Sequence, residues 1–505
     1  MFQNSLAGIG RNSAIAAIGM LLNGPISFLT TICLAHWLGV NDFGLYTLLL
    51  TIAGIMAGFS TLGMQVGVAR YIAHYIGLDQ ADKAAAVYKT LSLISVTFSM
   101  ITAITLWEVS PFIAAFFQKP NLVPYLRIIS LSIPALVLQD VWLYTLRGLQ
   151  KIGSQTIIEK IVTPALMITL TLSFYFLHRD LQGYLYGVVV LNYLIVGFLG
   201  WSTWKEFDKS RGISIQKSET LKWLGYSFPV LLEKLIQLFL TQAGLEILLI
   251  AHYGTAADVG IYGLLYQIMP FMMLPATAFS IAFGPTVSAL HAQGKTQTLK
   301  QNFVVVNRWI ATFTIPLFLL LIIWSKQILR LNGNGFESGQ LALCILAVGF
   351  LVDALVGEVR GIMLMTGKSG MFLLNSGGLM ILNLMLNLWF IPRWGIVGAA
   401  IAGAVSRASL NLIGLAQVFI FIRIHPFNRD YLKPIAAAVI TSAIYLLTLA
   451  IFPSEGMKET IWRSIALILI YPSSIAVLGL PGEELAAIGF VRRHITNGGY
   501  GNVSR

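Results

Sequence analysis

Lys160, Lys234, Arg360 and Arg407 each interrupt an apolar run of about twenty residues, long enough to span a bilayer as a helix. Asp140, Glu159, Glu233, Glu246, Asp353 and Glu358 lie at similar depth. Ionisable groups there are costly, and each is a functional candidate by default. The chemistry they offer is charge matching: an arginine fork grips phosphate oxygens in two places, and a lysine serves as a point charge. Asn23, Gln139, Trp142, Tyr144, Gln237, Gln242 and Tyr266 add polar and aromatic surface of the kind sugars need. A plainer role is open to the same groups, since cations and acids on neighbouring helices neutralise one another and fix packing.

A dipeptide repeats at two of these places, Glu159-Lys160 and Glu233-Lys234. Consecutive residues on an α-helix point about 100° apart, so neither dipeptide is expected to bridge within its own helix. Each needs partners on neighbouring helices or in a wet cavity. Burial raises a carboxyl pKa and a nearby cation lowers it, so a cation that moves can switch a carboxyl between its two forms. Asp353, Glu358 and Glu159 are the candidates for such a proton- or sodium-binding role.

The elements that must position these residues are helices. Of 505 residues, 57% are hydrophobic and 11% charged, and the mean hydropathy is +0.78. A soluble surface needs roughly a quarter of the residues charged, so much of this one faces lipid. The fold class expected is all-α, a polytopic membrane protein of about fourteen transmembrane helices. The third and tenth spans, at 90–117 and 339–365, hold more apolar sequence than a crossing needs and are expected to tilt or bend. Pro25, Pro134, Pro164, Pro229, Pro275 and Pro316 are expected to interrupt or kink their spans, and Pro25, after Asn23-Gly24, is the favoured hinge.

Lysine and arginine set the orientation. With the N-terminus inside, the inner segments collect Arg11, Arg70, Lys151, Lys205, Lys295, Lys368, Arg429 and others, while the outer side keeps a minority that includes Lys119, Arg127, Arg330 and Arg393. Both termini are therefore expected in the cytoplasm. The net charge of +12 is topological, and without a soluble basic face the chain offers nothing to nucleic acid. Cys33 and Cys344 fall within spans and read as buried thiols. The first apolar run is a full span with no cleavage site, so no removable signal peptide is expected. Metal-ligand clusters, cofactor motifs, a P-loop and nucleophile signatures are absent from the sequence.

The chain is also duplicated. AHWLGVNDFGLYTLL from Ala35 returns ungapped as AHYGTAADVGIYGLL from Ala251, so His36, Asp42, Gly44 and Tyr46 recur 216 positions later as His252, Asp258, Gly260 and Tyr262. Two halves of equal topology imply a pseudo-twofold along the membrane normal. The expected organisation is an N-lobe at 1–205, a charged cytoplasmic linker at 206–222, a C-lobe at 223–424, an added helix pair at 425–480 and a cytoplasmic tail at 481–505. The repeated tract falls in an outer hairpin, with Asp42 and Asp258 placed to cap the helix that follows. It reads as a structural hairpin. Its functional reading is a gate at the outer mouth, with His36, Asp42, His252 and Asp258 as gating residues.

LGVNDFGLYTLL followed by STLGMQVGVARYIAHY at 60–75, the LRGLQKIG and LMTGKSG turns, and PRWGIVGAAIAGAVSR at 392–407 resemble the bacterial polysaccharide and O-antigen flippases. These belong to the multidrug/oligosaccharidyl-lipid/polysaccharide exporter superfamily. The resemblance covers the whole chain and implies two six-helix lobes, plus a C-terminal helix pair, around a cavity that opens alternately to each side. It implies translocation of undecaprenyl-diphosphate-linked oligosaccharide across the inner membrane, for exopolysaccharide or O-antigen synthesis. Lys160, Lys234, Arg360 and Arg407 would then face the diphosphate, with H+ or Na+ coupling through Glu159, Asp353 or Glu358. A polysaccharide polymerase and a chain-length regulator are the pathway partners implied.

Three alternatives fit less well. A multidrug cation exporter is expected to show an acid-dominated cavity, and a lipid II flippase stronger basic clustering in its first spans. A glycan polymerase or ligase would be an enzyme needing a large outer loop, whereas the longest outer stretch here is 326–338. The orientation is open to direct test. Green fluorescent protein fused after Arg505 is expected to fluoresce and alkaline phosphatase fused there to be inactive; the opposite pattern overturns the topology.

Overall fold

The computed structural model describes residues 2–177, 180–207, 217–240, 243–451 and 457–479. Most of the linker expected at 206–222, all of the tail expected at 481–505, and Gln242 lie outside the described residues. In chain order the helices are α1 (Phe2–Ser60), α2 (Met64–Gly77), α3 (Ala81–Phe116), α4 (Leu122–Ser130), α5 (Ile133–Gly148), α6 (Ile152–Ile157), α7 (Thr163–Phe176), α8 (Leu181–Phe207) and α9 (Lys217–Leu240). They continue with α10 (Gly244–Tyr253), α11 (Ala256–Met272), α12 (Leu274–Ala292), α13 (Thr296–Leu331), α14 (Gln340–Val356), α15 (Val359–Met365), α16 (Ser369–Ile422), α17 (Leu432–Ile451) and α18 (Met457–Val477). No strand occurs among the described residues. In hydrocarbon each backbone N–H and C=O must be satisfied within its own segment, and helices do this.

Ten of the described helices are long and apolar enough to cross a membrane, or up to twelve if each of two bent pairs counts as one span. That is fewer than the roughly fourteen that span-length hydropathy implies. Two of the ten, Asn23–Ser60 and Gly370–Ile422, run for 38 and 53 residues. Each carries one glycine outside helical geometry, Gly39 (φ 71, ψ 172) in α1 and Gly395 (φ 54, ψ −132) in α16. Hydropathy divides the chain at such places, while the helical assignment continues across them.

The prolines behave in two ways. Pro25, Pro229 and Pro316 lie inside α1, α9 and α13. Pro134, Pro164 and Pro275 instead open α5, α7 and α12 from the first turn, where a missing N–H costs nothing. Half of the expected kinks are therefore helix starts. The tenth span is broken, since α14 ends ahead of Gly357 and α15 begins after Glu358, whereas α3 is one continuous helix.

The helices gather into two compact units. One comprises Met1–Ile268, Gln327–Ala342 and Met380–Gly403. Within it α2, α3, α5 and α9 pack around Met64, Val68, Ile72, Leu91, Val141 and Trp223, and α5 and α8 meet over Leu143, Leu146, Leu191, Ile195 and Leu199. The other comprises Met269–Lys326, Leu343–Leu379 and Ala404–Arg505. Its apolar centre holds Phe283, Val287, Phe303, Val359, Ile362 and Val418, with a second cluster around Ala311, Ile315, Tyr431, Ala437 and Tyr471.

In that second unit α14 and α16 come together with almost no side chain between them. A Cβ built on Gly349 would lie 2.6 Å from Cα and 2.7 Å from Cβ of Ala404. Small residues that let backbones touch are the usual adhesive of helices in lipid. Gly349→Val is expected to cost about 1–3 kcal/mol by overpacking. A lowered thermal unfolding midpoint in detergent would show this, and an unchanged midpoint would contradict the contact.

Candidate functional site

In the first unit, α5, the segment after it and α9 carry the polar groups. Between α6 and α7 the chain makes a π-helical turn, Ile158–Val162, which contains both Glu159 and Lys160. Such turns occur frequently at functional sites. Glu159 and Lys160 pair with each other at 2.7 Å, which corrects the expectation that this dipeptide could not bridge within its helix. The wider turn and two long, flexible side chains bring the heads together. The carboxylate also accepts from Gln155 Nε2 at 3.2 Å, and Gln155 Oε1 accepts from Arg147 Nε at 3.2 Å. Arg147, read from residue order only as one of the inner-side charges, thus joins the network.

In the second dipeptide the lysine finds its partner on another helix and the glutamate on its own. Lys234 on α9 reaches Asp140 on α5 at 2.7 Å, and Glu233 accepts from Gln237 one turn on. Of the other sugar-lining candidates, Trp142 donates to Ser92 Oγ at 3.1 Å, Tyr144 lies beneath the Arg147 guanidinium and Tyr266 packs on Tyr262. Asn23 accepts from Ser27 Oγ on the same helix.

Glu246, one of the acids at span depth to which the sequence assigned no specific role, is fully buried in this unit. Glu246 accepts from Asn383 Nδ2 at 3.1 Å, and Asn387 Nδ2 donates back to Asn383. The signal available in the sequence was Asn383 and Asn387 at i, i+4 on an apolar helix, facing one way.

The second unit holds the remaining charges. Arg407 Nη1 donates to Asp353 Oδ2 at 3.0 Å, and Asn411 Nδ2 donates to Asp353 Oδ1 at 2.7 Å. The guanidinium lies 3.9 Å from the Phe350 ring centroid. Asp353 is thus held between a cation and an amide on α16. Glu358 accepts from Ser280 Oγ, while its backbone N–H donates to Asn307 Oδ1 at 3.2 Å, which satisfies the chain where the tenth span breaks. Arg360 differs from the other three cations. It is exposed, its guanidinium lies 5.3 Å from the Phe372 ring centroid, and it forms no ion pair with a carboxylate among the described residues.

The duplicated tracts both fall in the first unit. His36 and Asp42 are exposed. His252 Nδ1 is 2.9 Å from Phe116 O, and its ring stacks on Phe116 at 4.5 Å. Asp258 sits inside the first turn of α11 rather than ahead of it and closes a reciprocal cap: Thr255 N donates to its Oδ2 at 2.8 Å, and Asp258 N donates to Thr255 Oγ1 at 3.2 Å. The first copy has Gly39 where the second has Thr255, so it lacks the hydroxyl that the cap needs.

Lys119, counted from sequence only as an outer-loop charge, follows α3 and donates to Ala251 O at 2.6 Å, Gly254 O at 3.1 Å and Phe117 O at 3.3 Å. A cation at the end of α10 meets the negative end of that helix. Burial lowers the Lys119 ammonium pKa from its ordinary value, and the nearby Asp258 charge opposes that shift.

The Asp353–Arg407 pair is the most enclosed of the intramembrane pairs, with side chains 18% and 19% exposed. Removing one partner of a buried pair costs about 3–5 kcal/mol, because the other is left uncompensated. Asp353→Ala is therefore expected to lower stability strongly and Asp353→Ala with Arg407→Met to recover much of it. A double-mutant cycle on thermal unfolding measures the coupling; additive losses would mean that the pair is not formed.

Comparison with known proteins places this architecture. The family model described as polysaccharide biosynthesis protein matches residues 9–291, and the MatE model matches 229–389. No curated sequence matches the chain. Among solved structures, the lipid II flippase MurJ in an inward closed conformation is similar with a TM-score of 0.74 at 15% identity, over 92% of this chain and 98% of that one. An inward-facing multidrug resistance MATE family transporter of the MOP superfamily gives 0.66 at 16% identity, over 81% and 98%. A MOP superfamily transporter from Pyrococcus furiosus gives 0.55 at 16% identity, over 82% and 95%. At these identities the likeness is one of fold, and the fold is that of MOP superfamily transporters. With more than half of its length matched by the family model, the chain belongs to the polysaccharide biosynthesis protein family.

Proposed function

We propose that this protein is a flippase that carries undecaprenyl-diphosphate-linked oligosaccharide from the inner to the outer leaflet of the cytoplasmic membrane by alternating access. The observation that carries the reading is Arg360. Lys160, Lys234 and Arg407 are each matched to a carboxylate, whereas Arg360 offers an exposed guanidinium backed by an aromatic face. A diphosphate is the kind of group such a fork grips in two places. The matched cations play the supporting part, and Lys160 and Lys234 become available where their short ion pairs open.

In this reading two six-helix lobes, 1–205 and 223–424, rock about the site, both termini face the cytoplasm, and each double-length helix makes two crossings. The 53 residues of Gly370–Ile422, kinked at Gly395, hold about 80 Å of helical rise, well beyond one hydrocarbon core. Coupling to H+ or Na+ falls to Glu159, Asp353 or Glu358, and a polymerase and chain-length regulator take over the product. A multidrug-type exporter is the second reading, favoured by the MatE model match at 229–389.

Reconstituted protein is expected to move a fluorescent lipid-diphosphate oligosaccharide between leaflets. Arg360→Ala should slow that movement by about tenfold or more, as loss of a charge-assisted hydrogen bond implies. Lys234→Ala should act less severely on transport and more on stability. If intact protein moves no lipid-linked glycan under any ion gradient but exports organic cations, the exporter reading replaces this one.

A further inference from the structure

The duplicated tracts touch each other, and they do so symmetrically. A Cβ on Gly44 would overlap Ala256 O, and a Cβ on Gly260 would lie 2.5 Å from Val40 O. Ala256 and Val40 are themselves related by the 216-residue offset of the repeat. Each copy thus presents the same surface to the other, as in an isologous interface, and the pseudo-twofold passes between the two glycines. One turn further along, a Cβ on Gly263 would lie 2.5 Å from Thr47 Cγ2, and Thr47 is buried. A second contact between the duplicated halves stands beside the first: Lys119 grips the carbonyls of Ala251 and Gly254, while Phe116 and His252 stack.

We infer that these contacts form a two-part outer seal: Gly44 and Gly260 let the duplicated backbones close on the symmetry axis, and Lys119 clasps the closed form. The inference rests on the topology and alternating access proposed above, and it adds the residues that shut the outer side. Two halves that rock outward must part at the glycine pair, because backbone there meets backbone with no side chain to yield. They must also release Lys119 from the end of α10. The glycine contact is a close approach of backbone to backbone with no side chain between, so it closes tightly. The clasp supplies the directional, charge-assisted part of the closure.

The test is thiol accessibility in a background with Cys33→Ala and Cys344→Ala, carrying Thr47→Cys as reporter. In right-side-out vesicles a membrane-impermeant maleimide should label this site slowly. Gly260→Val should wedge the tracts apart, and Lys119→Met should remove the clasp while leaving helix packing alone. Each is expected to raise external labelling by about tenfold, within the range typical of conformational coupling. Thermal unfolding and gel-filtration profiles identify any variant that has lost its fold, and Lys119→Met keeps the inference testable if Gly260→Val does not assemble. Unchanged labelling in a folded Lys119→Met variant, or labelling enhanced only from the inner side, overturns the seal. The readout needs no substrate, so a rise in labelling without glycan transport would uphold the seal and reject the flippase reading.

Discussion

A charge surrounded by hydrocarbon must find a counter-charge, a hydrogen-bonding shell or water. That constraint organises the interior of this protein. Asp140 and Lys234 join α5 to α9, and Asp353, Arg407 and Asn411 join α14 to α16. Glu159 and Lys160 settle their charges inside one turn, and Glu246 leans on Asn383. Apart from the Glu159–Lys160 turn, each arrangement fixes which helix faces meet, because the partners lie on different elements and their bond directions are narrow. Arg360 stands apart from this scheme. Its position on the short helix after the break at Gly357 places this exposed cation, within electrostatic reach of Glu358, where the span is discontinuous.

Much of this was legible from residue order. Composition and span-length hydropathy predict an all-helical membrane protein, and the repeat at His36 and His252 predicts that two tracts share an architecture. The glycines recur with the tracts, and the structure brings them into close backbone approach. Pairings across long separations are not legible in the same way. Lys234 selects Asp140 from several acids at similar depth, and only the packing of α5 on α9 decides between them. The Glu159–Lys160 bridge contradicts a rule that holds for α-helices, because the backbone there adopts the wider π turn and nothing in the sequence announces it. Hydropathy divides the chain at Gly39 and Gly395, and at those same glycines the two longest helical stretches kink.

Lys119 shows how a topological reading can hide a structural role. Counting lysines by side assigns it to an outer loop, which says nothing of the carbonyls it meets. Two of its three partners lie more than a hundred residues away, at the end of a helix whose exposed carbonyls attract any nearby cation. The duplicated hairpins diverge around it. Thr255 and Asp258 cap the second copy reciprocally, whereas Gly39 occupies the matching place in the first and turns with φ 71. One hairpin is anchored through side chains and the other is shaped by backbone alone.

Duplication ordinarily leaves each copy free to drift under its own mutations. Where Gly44 and Gly260 meet, that freedom is missing, because a side chain gained by either copy strikes the backbone of the other. A methyl group added on one side cannot be accommodated by trimming its opposite number, since glycine has nothing left to remove. The two positions are therefore constrained as a matched set, and the symmetry of the repeat is sterically enforced at the point where its halves collide.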